Sequence, residues 1–76
     1  MASPQLPLAM AGADDVVRVA RVRGDASLRQ HLAELGFVEG AEVKVVSRAA
    51  GDVIVLVKGA RLALNRAMAS RITVSI

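Results

Sequence analysis

Cysteine and aromatic residues are almost absent from this sequence of 76 residues. It contains no cysteine, tryptophan or tyrosine, and only one phenylalanine and one histidine. The lack of cysteine excludes disulfide bonds and thiolate metal sites. The lack of aromatic residues disfavours a protein that stacks the bases of single-stranded nucleic acid. The chain must therefore be stabilised by aliphatic packing alone.

Long hydrophobic runs are also missing. The longest uninterrupted aliphatic run is Val53–Val57, far below the roughly 20 residues that a membrane-spanning helix needs. A short apolar stretch over residues 6–13 follows no lysine or arginine, so the basic part of a secretory signal is missing. We therefore expect a soluble, cytoplasmic protein.

What the sequence does contain is aliphatic residues and scattered positive charge. Hydrophobic residues make up 54% of the chain, and the net charge is +3. The ten basic residues follow the exposed positions of predicted strands and form no block, which favours an ordinary solvated surface over a phosphate-binding patch. A small basic barrel that binds nucleic acid remains the alternative.

Alternating apolar residues predict a mainly β fold with five short strands. These strands cover residues 16–22, 43–48, 53–57, 61–64 and 72–76, with a short helix between the first two and a helical turn before the last. The spacing of valines predicts a bulge at Ala20–Arg21, and Ile72, Val74 and Ile76 should point inward. Glycine-containing turns between the strands indicate a closed or nearly closed small barrel. We expect residues 1–13 to form an N-terminal arm and residues 14–76 the domain.

The short helix carries signals at both of its ends. Ser27 followed by Gln30 is a capping-box pattern, and three leucines at intervals of four and three form one apolar face. Gly36 is suited to the left-handed position after the helix, and Phe37 to the apolar position that follows it in a Schellman motif. The helix should therefore end at Gly36.

Candidate catalytic and metal-binding residues are few. The seven acidic residues fall in predicted turns, caps and polar helix positions, and no residue is placed to orient the single histidine as a base. His31 and Glu34 are three residues apart on the helix and could contact one metal ion, but two ligands make a weak site. We expect neither an enzyme nor a bound cofactor.

The segment LRQHLAELGFVEGAEVKVVSRA, residues 28–49, resembles the helix-to-strand signature of the FeoA family. The surrounding features agree, because a GD turn precedes the helix, another follows the second strand, and GARLAL precedes a final ITV strand. The resemblance covers about residues 15–76. The chain departs from the family pattern at Asn65, where arginine is usual, and at Met68, where an acidic residue is typical.

The resemblance implies a small cytosolic protein with an SH3-like barrel. Members of this family accompany FeoB, a ferrous iron transporter with a cytosolic G-protein domain, and are regarded as its accessory or regulatory proteins. The resemblance implies that this protein contacts a membrane only through the transporter. The sequence leaves open whether the chain forms homo-oligomers. A related SH3-like domain forms the C-terminus of metal-dependent regulators of the diphtheria-toxin-repressor type. A metal-responsive interaction domain is therefore a further alternative. The chain lacks a helix-turn-helix pattern, so we expect a stand-alone protein.

Residues around this signature that we expect to be exposed are the candidates for partner binding. They are Arg29, Phe37, Val38 and Glu39. Val38 is the most informative of them, because an apolar residue in a turn needs an explanation. A single exposed apolar residue is nevertheless common on protein surfaces.

Overall fold

The computed structural model describes residues 4–76, which form six strands and two α-helices. The strands are β1 (Gln5–Pro7), β2 (Val16–Val22), β3 (Glu42–Ala49), β4 (Asp52–Val57), β5 (Ala60–Leu64) and β6 (Ile72–Ser75); the helices are α1 (Ala26–Glu34) and α2 (Arg66–Ala69). A single 3-10 turn, Leu8–Met10, follows β1. None of the described helices is long and apolar enough to cross a membrane.

All six strands join one antiparallel sheet in the order β1-β6-β2-β3-β4-β5. The register shifts between Val19 and Arg21 in β2, and again between Val45 and Ser47 in β3. Such bulges bend the strand that carries them, so the sheet curves around its own core. The bulge predicted at Ala20–Arg21 is confirmed. The predicted barrel corresponds to this bent sheet, although β1 and β5 are its two edges and do not pair.

Alternate residues of the strands supply most of a single hydrophobic core. In β4, for example, Val53, Val55 and Val57 are buried, whereas the residues between them are more exposed. Within residues 4–76 the buried side chains are all apolar: Leu8, Ala9, Ala11, Val17, Val19, Leu32, Phe37, Val43, Val45, Val53, Val55, Val57, Leu64, Ala69, Ile72 and Val74. Ile72 and Val74 point inward as predicted, but Ile76 is 67% exposed and its predicted burial is wrong.

The two ends of α1 differ in how well the sequence predicted them. The helix begins at Ala26, and the cap is Asp25, whose Oδ1 accepts a hydrogen bond of 2.8 Å from the Leu28 backbone N–H. The predicted cap at Ser27 is therefore wrong by two residues, because Ser27 lies within the helix. Asp25 performs the same role, since its carboxylate satisfies an N–H that the first turn leaves unpaired.

The C-terminal end of α1 is the predicted Schellman motif. Phe37 N–H donates to Leu32 O over 3.0 Å, and Gly36 N–H donates to Ala33 O over 3.0 Å. Gly36 has a φ of +112°, a left-handed conformation that side chains disfavour. The predicted second cap is also confirmed, because Asn65 Oδ1 accepts from Met68 N–H over 2.8 Å at the start of α2.

The N-terminal segment contributes a sixth strand that was not among the five predicted. In β1, Leu6 pairs with Val74 of β6, and the fully buried Leu8 then enters the core. The guanidinium of Arg48 in β3 donates hydrogen bonds to the carbonyl oxygens of Ala9 and Ala11. Residues within the predicted arm therefore pack against the domain on both the sheet side and the core side.

Removing the Leu8 side chain should lower the free energy of unfolding by about 2–4 kcal/mol, because the Leu8→Ala change leaves a cavity in the core. Met10→Ala is the matched control, since Met10 lies in the same turn but is largely exposed, and it should change stability by less than about 0.5 kcal/mol. Urea denaturation followed by circular dichroism measures both. A loss at Leu8→Ala as small as the one expected for Met10→Ala would show that the Leu8 side chain does not stabilise the domain.

Candidate partner-binding surfaces

The turn after α1 carries two of the residues predicted to bind a partner. Val38 is 39% exposed and Glu39 is also exposed. Hydrogen bonds hold this turn firmly, because Ala41 N–H donates to Val38 O over 2.9 Å and Gly40 N–H donates to Val19 O over 2.7 Å. The turn is therefore a fixed part of the surface and presents Val38 in a defined position.

The other predicted contact residues lie in different environments. Arg29 is exposed on α1, whereas the leucines of the same helix pack into or against the core. Phe37 is only 1% exposed, so its side chain belongs to the core and is not accessible to a partner. The structure thus brings Val38 and Glu39 together in one turn, whereas Phe37 lies beneath the surface. Binding by Arg29, Val38 and Glu39 stays a prediction.

The candidate metal ligands His31 and Glu34 are both exposed on α1. Within residues 4–76, no three histidine or acidic side chains lie close enough to hold a metal ion together. A two-residue contact at His31 and Glu34 therefore stays a prediction of a weak site.

A second surface, which the sequence did not indicate, lies on the outer face of the sheet. A shallow groove of about 480 Å³ is lined by Val16, Ala41, Glu42, Lys44, Leu56, Lys58 and Gly59. We call it the sheet groove. Its two large apolar residues are Val16, 52% exposed, and Leu56, 38% exposed. Both are exposed aliphatic side chains, and their neighbours Arg18, Lys44 and Arg61 on the same face are charged.

Strand register explains how distant residues meet in the sheet groove. Val16 pairs with Lys44 across β2 and β3, and Lys44 pairs with Leu56 across β3 and β4. Leu56 pairs in turn with Arg61 of β5. Because directly opposed residues of antiparallel strands point to the same face, these four side chains form one row across the outer face.

The charges around the sheet groove are mainly positive. Lys44 and Lys58 line it, and Arg61 continues the row beyond Leu56. The one acidic lining residue, Glu42, faces Arg18 at a distance of 4.0 Å between Oε1 and the guanidinium. Both of these side chains are well exposed, so the ion pair is weak, but it offsets the negative charge of Glu42. The rim therefore favours acidic groups.

The sheet groove is joined to the end of α1 by Lys58. A Cβ atom added to Gly36 would lie 3.4 Å from Lys58 Cδ and 3.2 Å from Val57 Cγ2. The aliphatic part of Lys58 therefore passes close over the backbone of Gly36. The absence of a side chain at Gly36 allows both the left-handed turn and this position of Lys58.

The hairpin turn at Lys58–Gly59 forms one end of the sheet groove. Lys58 has a φ of +50° and Gly59 a φ of +77°, and these two residues alone connect β4 to β5. Positive φ at both positions is the type I′ turn that matches the twist of two-residue hairpins. The same geometry occurs at Ala50 and Gly51 between β3 and β4. The GD turn predicted from the sequence, Gly51–Asp52, therefore lies one residue too late.

A bent six-stranded antiparallel sheet with two short capped helices and firmly held surface turns defines a small SH3-like domain. Within this class, the chain belongs to the FeoA family, whose FeoA domain model matches residues 6–76. The family is associated with ferrous iron transport.

Individual relatives agree with this assignment. A protein of Methanocaldococcus jannaschii, provisionally named Fe(2+) transport protein A, is 32% identical over 68 residues, which are 90% of this chain and 83% of the relative. A crystal structure of an iron uptake regulatory protein, FeoA, is 31% identical with a TM-score of 0.85, over 93% of this chain and 95% of the other. The zinc complex of Stenotrophomonas maltophilia FeoA, described as a prokaryotic SH3 domain protein, is 28% identical with a TM-score of 0.78, over 90% and 87% of the two chains.

Proposed function

We propose that this chain is a non-catalytic, cytoplasmic accessory protein of ferrous iron uptake that binds the cytosolic part of a FeoB-type transporter. The observation that supports it best is the FeoA match over residues 6–76, which includes both the core and the exposed turn at Val38–Glu39. The name of the M. jannaschii relative refers to Fe(2+) transport.

The surface chemistry supports binding better than catalysis. His31 and all seven acidic side chains are exposed, as expected of groups that interact mainly with solvent. The firmly held turn and the sheet groove are instead features that a partner can recognise. A rigid domain of this kind regulates its partner by binding one conformational state of that partner more tightly than another.

Isothermal titration of the full chain with the cytosolic G-protein domain of the FeoB transporter from the same organism tests the proposal. We expect saturable binding with a dissociation constant on the order of micromolar, about −8 kcal/mol, as in transient regulatory complexes. The control titration uses an unrelated G-protein domain of similar net charge, which should not bind.

A parallel titration with single-stranded RNA separates the proposal from the nucleic-acid alternative. Binding through phosphate contacts would weaken steeply as salt is raised. Clear RNA binding at physiological salt, together with no binding to the transporter domain, would overturn the proposed function in favour of nucleic-acid recognition.

A further inference from the structure

We propose that the sheet groove binds an acidic peptide segment of a partner protein, with one aliphatic side chain of that segment seated between Val16 and Leu56. The assignment of this segment to the iron transporter rests on the proposed function. The preference of the groove for such a segment rests only on the residues that line it.

The apolar part of the groove is the first argument. Val16 and Leu56 are exposed on the same face and are separated in the row only by Lys44. The stem of a lysine is itself apolar and can lie along such a surface while its ammonium group reaches solvent. A buried aliphatic anchor with charged groups around it is the usual anatomy of a small protein interface.

Charge identifies the occupant. Lys44, Lys58 and Arg61 surround Leu56 on the row and at its hairpin end, and Glu42 is offset by Arg18. Complementary charge steers a partner to its site and excludes partners of the same sign. An acidic segment therefore fits this rim, and a basic one does not.

The chemistry disfavours a nucleic acid as the occupant. The groove contains no aromatic side chain, since the single phenylalanine of the chain is buried in the core. The bases of single-stranded nucleic acid bind to proteins largely by stacking on aromatic rings, whereas the floor of this groove is aliphatic. A protein segment that combines carboxylates with a leucine or isoleucine matches both the floor and the rim.

The groove is held rigidly, which lowers the entropic cost of binding. β3 and β4 lie inside the sheet, each between two paired neighbours. Lys58 is positioned by its close passage over Gly36, and the hairpin of which it is part is a two-residue turn. A segment can therefore dock without ordering a loop of this domain.

The test is nuclear magnetic resonance titration of the ¹⁵N-labelled full chain with three synthetic peptides. The first has one leucine among glutamates, the second has serine in place of the leucine, and the third has lysines in place of the glutamates. We expect the first peptide to shift the amide signals of Lys44, Leu56 and Lys58, the second to bind at least fivefold more weakly, and the third to cause no shift.

Variants of exposed residues complete the test with little risk to folding. Leu56→Ser and the double change Lys44→Glu with Lys58→Glu should each weaken binding of the first peptide at least tenfold, the first by removing the apolar contact and the second by reversing the charge of the rim. The matched controls are Ile76→Ser, a change at an exposed aliphatic residue outside the groove, and Arg66→Glu with Arg71→Glu, changes at two exposed basic residues outside it. Both controls should bind as the unmodified chain does.

The outcomes separate this inference from the proposed function. Peptide shifts in the groove without transporter binding would leave the groove assignment standing and contradict the proposed function. Transporter binding that the groove variants leave unchanged, with peptide shifts elsewhere or absent, would overturn the groove assignment alone. Shifts of the groove residues by oligouridylate or by vesicles of anionic phospholipid, without a response to the first peptide, would also overturn it.

Discussion

Replacing Phe37 by alanine should lower the free energy of unfolding by about 3–5 kcal/mol, because the change removes the largest fully buried side chain. A domain of this length has a total stability on the order of 4–11 kcal/mol. The variant should therefore lose a large part of its stability and unfold at a much lower urea concentration.

The control for this change is Phe37→Leu, which keeps much of the buried volume and should cost less than half as much. Urea denaturation followed by circular dichroism measures both variants. If Phe37→Ala costs less than about 1 kcal/mol, the side chain is not packed in the core. The folded Phe37→Leu variant should also bind the transporter domain as the unmodified chain does, since the phenyl ring is inaccessible.

The second large effect is expected at Gly36. Gly36→Ala should cost about 2–4 kcal/mol, because alanine is strained at a φ of +112° and its Cβ would press on Val57 and Lys58. Gly40→Ala is the matched control, since Gly40 also has a positive φ, +87°, but no atom lies within 4 Å of an added Cβ.

Gly40→Ala should therefore show the backbone strain alone, about 1–2 kcal/mol. Thermal unfolding of the two variants side by side measures the difference, which reports the contact with Val57 and Lys58. Equal losses in the two variants would mean that β4 moves away freely and that the close approach at Gly36 has no energetic consequence. A larger loss at Gly36 would confirm that the end of α1 and the sheet groove are packed against each other.

The end of α1 was predictable because its signals are local. Gly36 and Phe37 follow three periodic leucines, and a Schellman motif depends on residues within one turn of the helix. The start of the helix was less certain, because Asp25 and Ser27 are both good capping residues. The capping-box pattern favoured Ser27, whereas the structure uses Asp25, which comes two residues earlier in the chain.

The sixth strand could not be predicted in the same way. Gln5–Pro7 has three residues and contains a proline, so it shows no alternation over a useful length. Its strand conformation comes from pairing with β6, about 70 residues further along the chain. Pairing between strands so far apart in the chain depends on the completed fold, so no local sequence pattern predicts it.

The sheet groove is the clearest case of a site that only the register reveals. Val16, Lys44 and Leu56 are separated by many residues in the chain, and each one alone is an ordinary exposed strand residue. Their alignment depends on the pairing of three strands, with the bulge in β3 falling just beyond Lys44. The turn at Val38, in contrast, was recognisable because an apolar residue in a turn is unusual.

The position of β6 has a consequence for how the protein acquires its structure during synthesis. β6 follows every other described element in the chain, yet it lies between β1 and β2 in the sheet. β1 therefore has no strand to pair with until residues 72–75 are available, whereas β2 pairs with β3 on its other side. β3, β4 and β5, joined by two-residue turns, can fold as they emerge, because local contacts form before distant ones. The meander of β3, β4 and β5 can thus take up β2 by local pairing, and β1 joins the sheet only once β6 has been made.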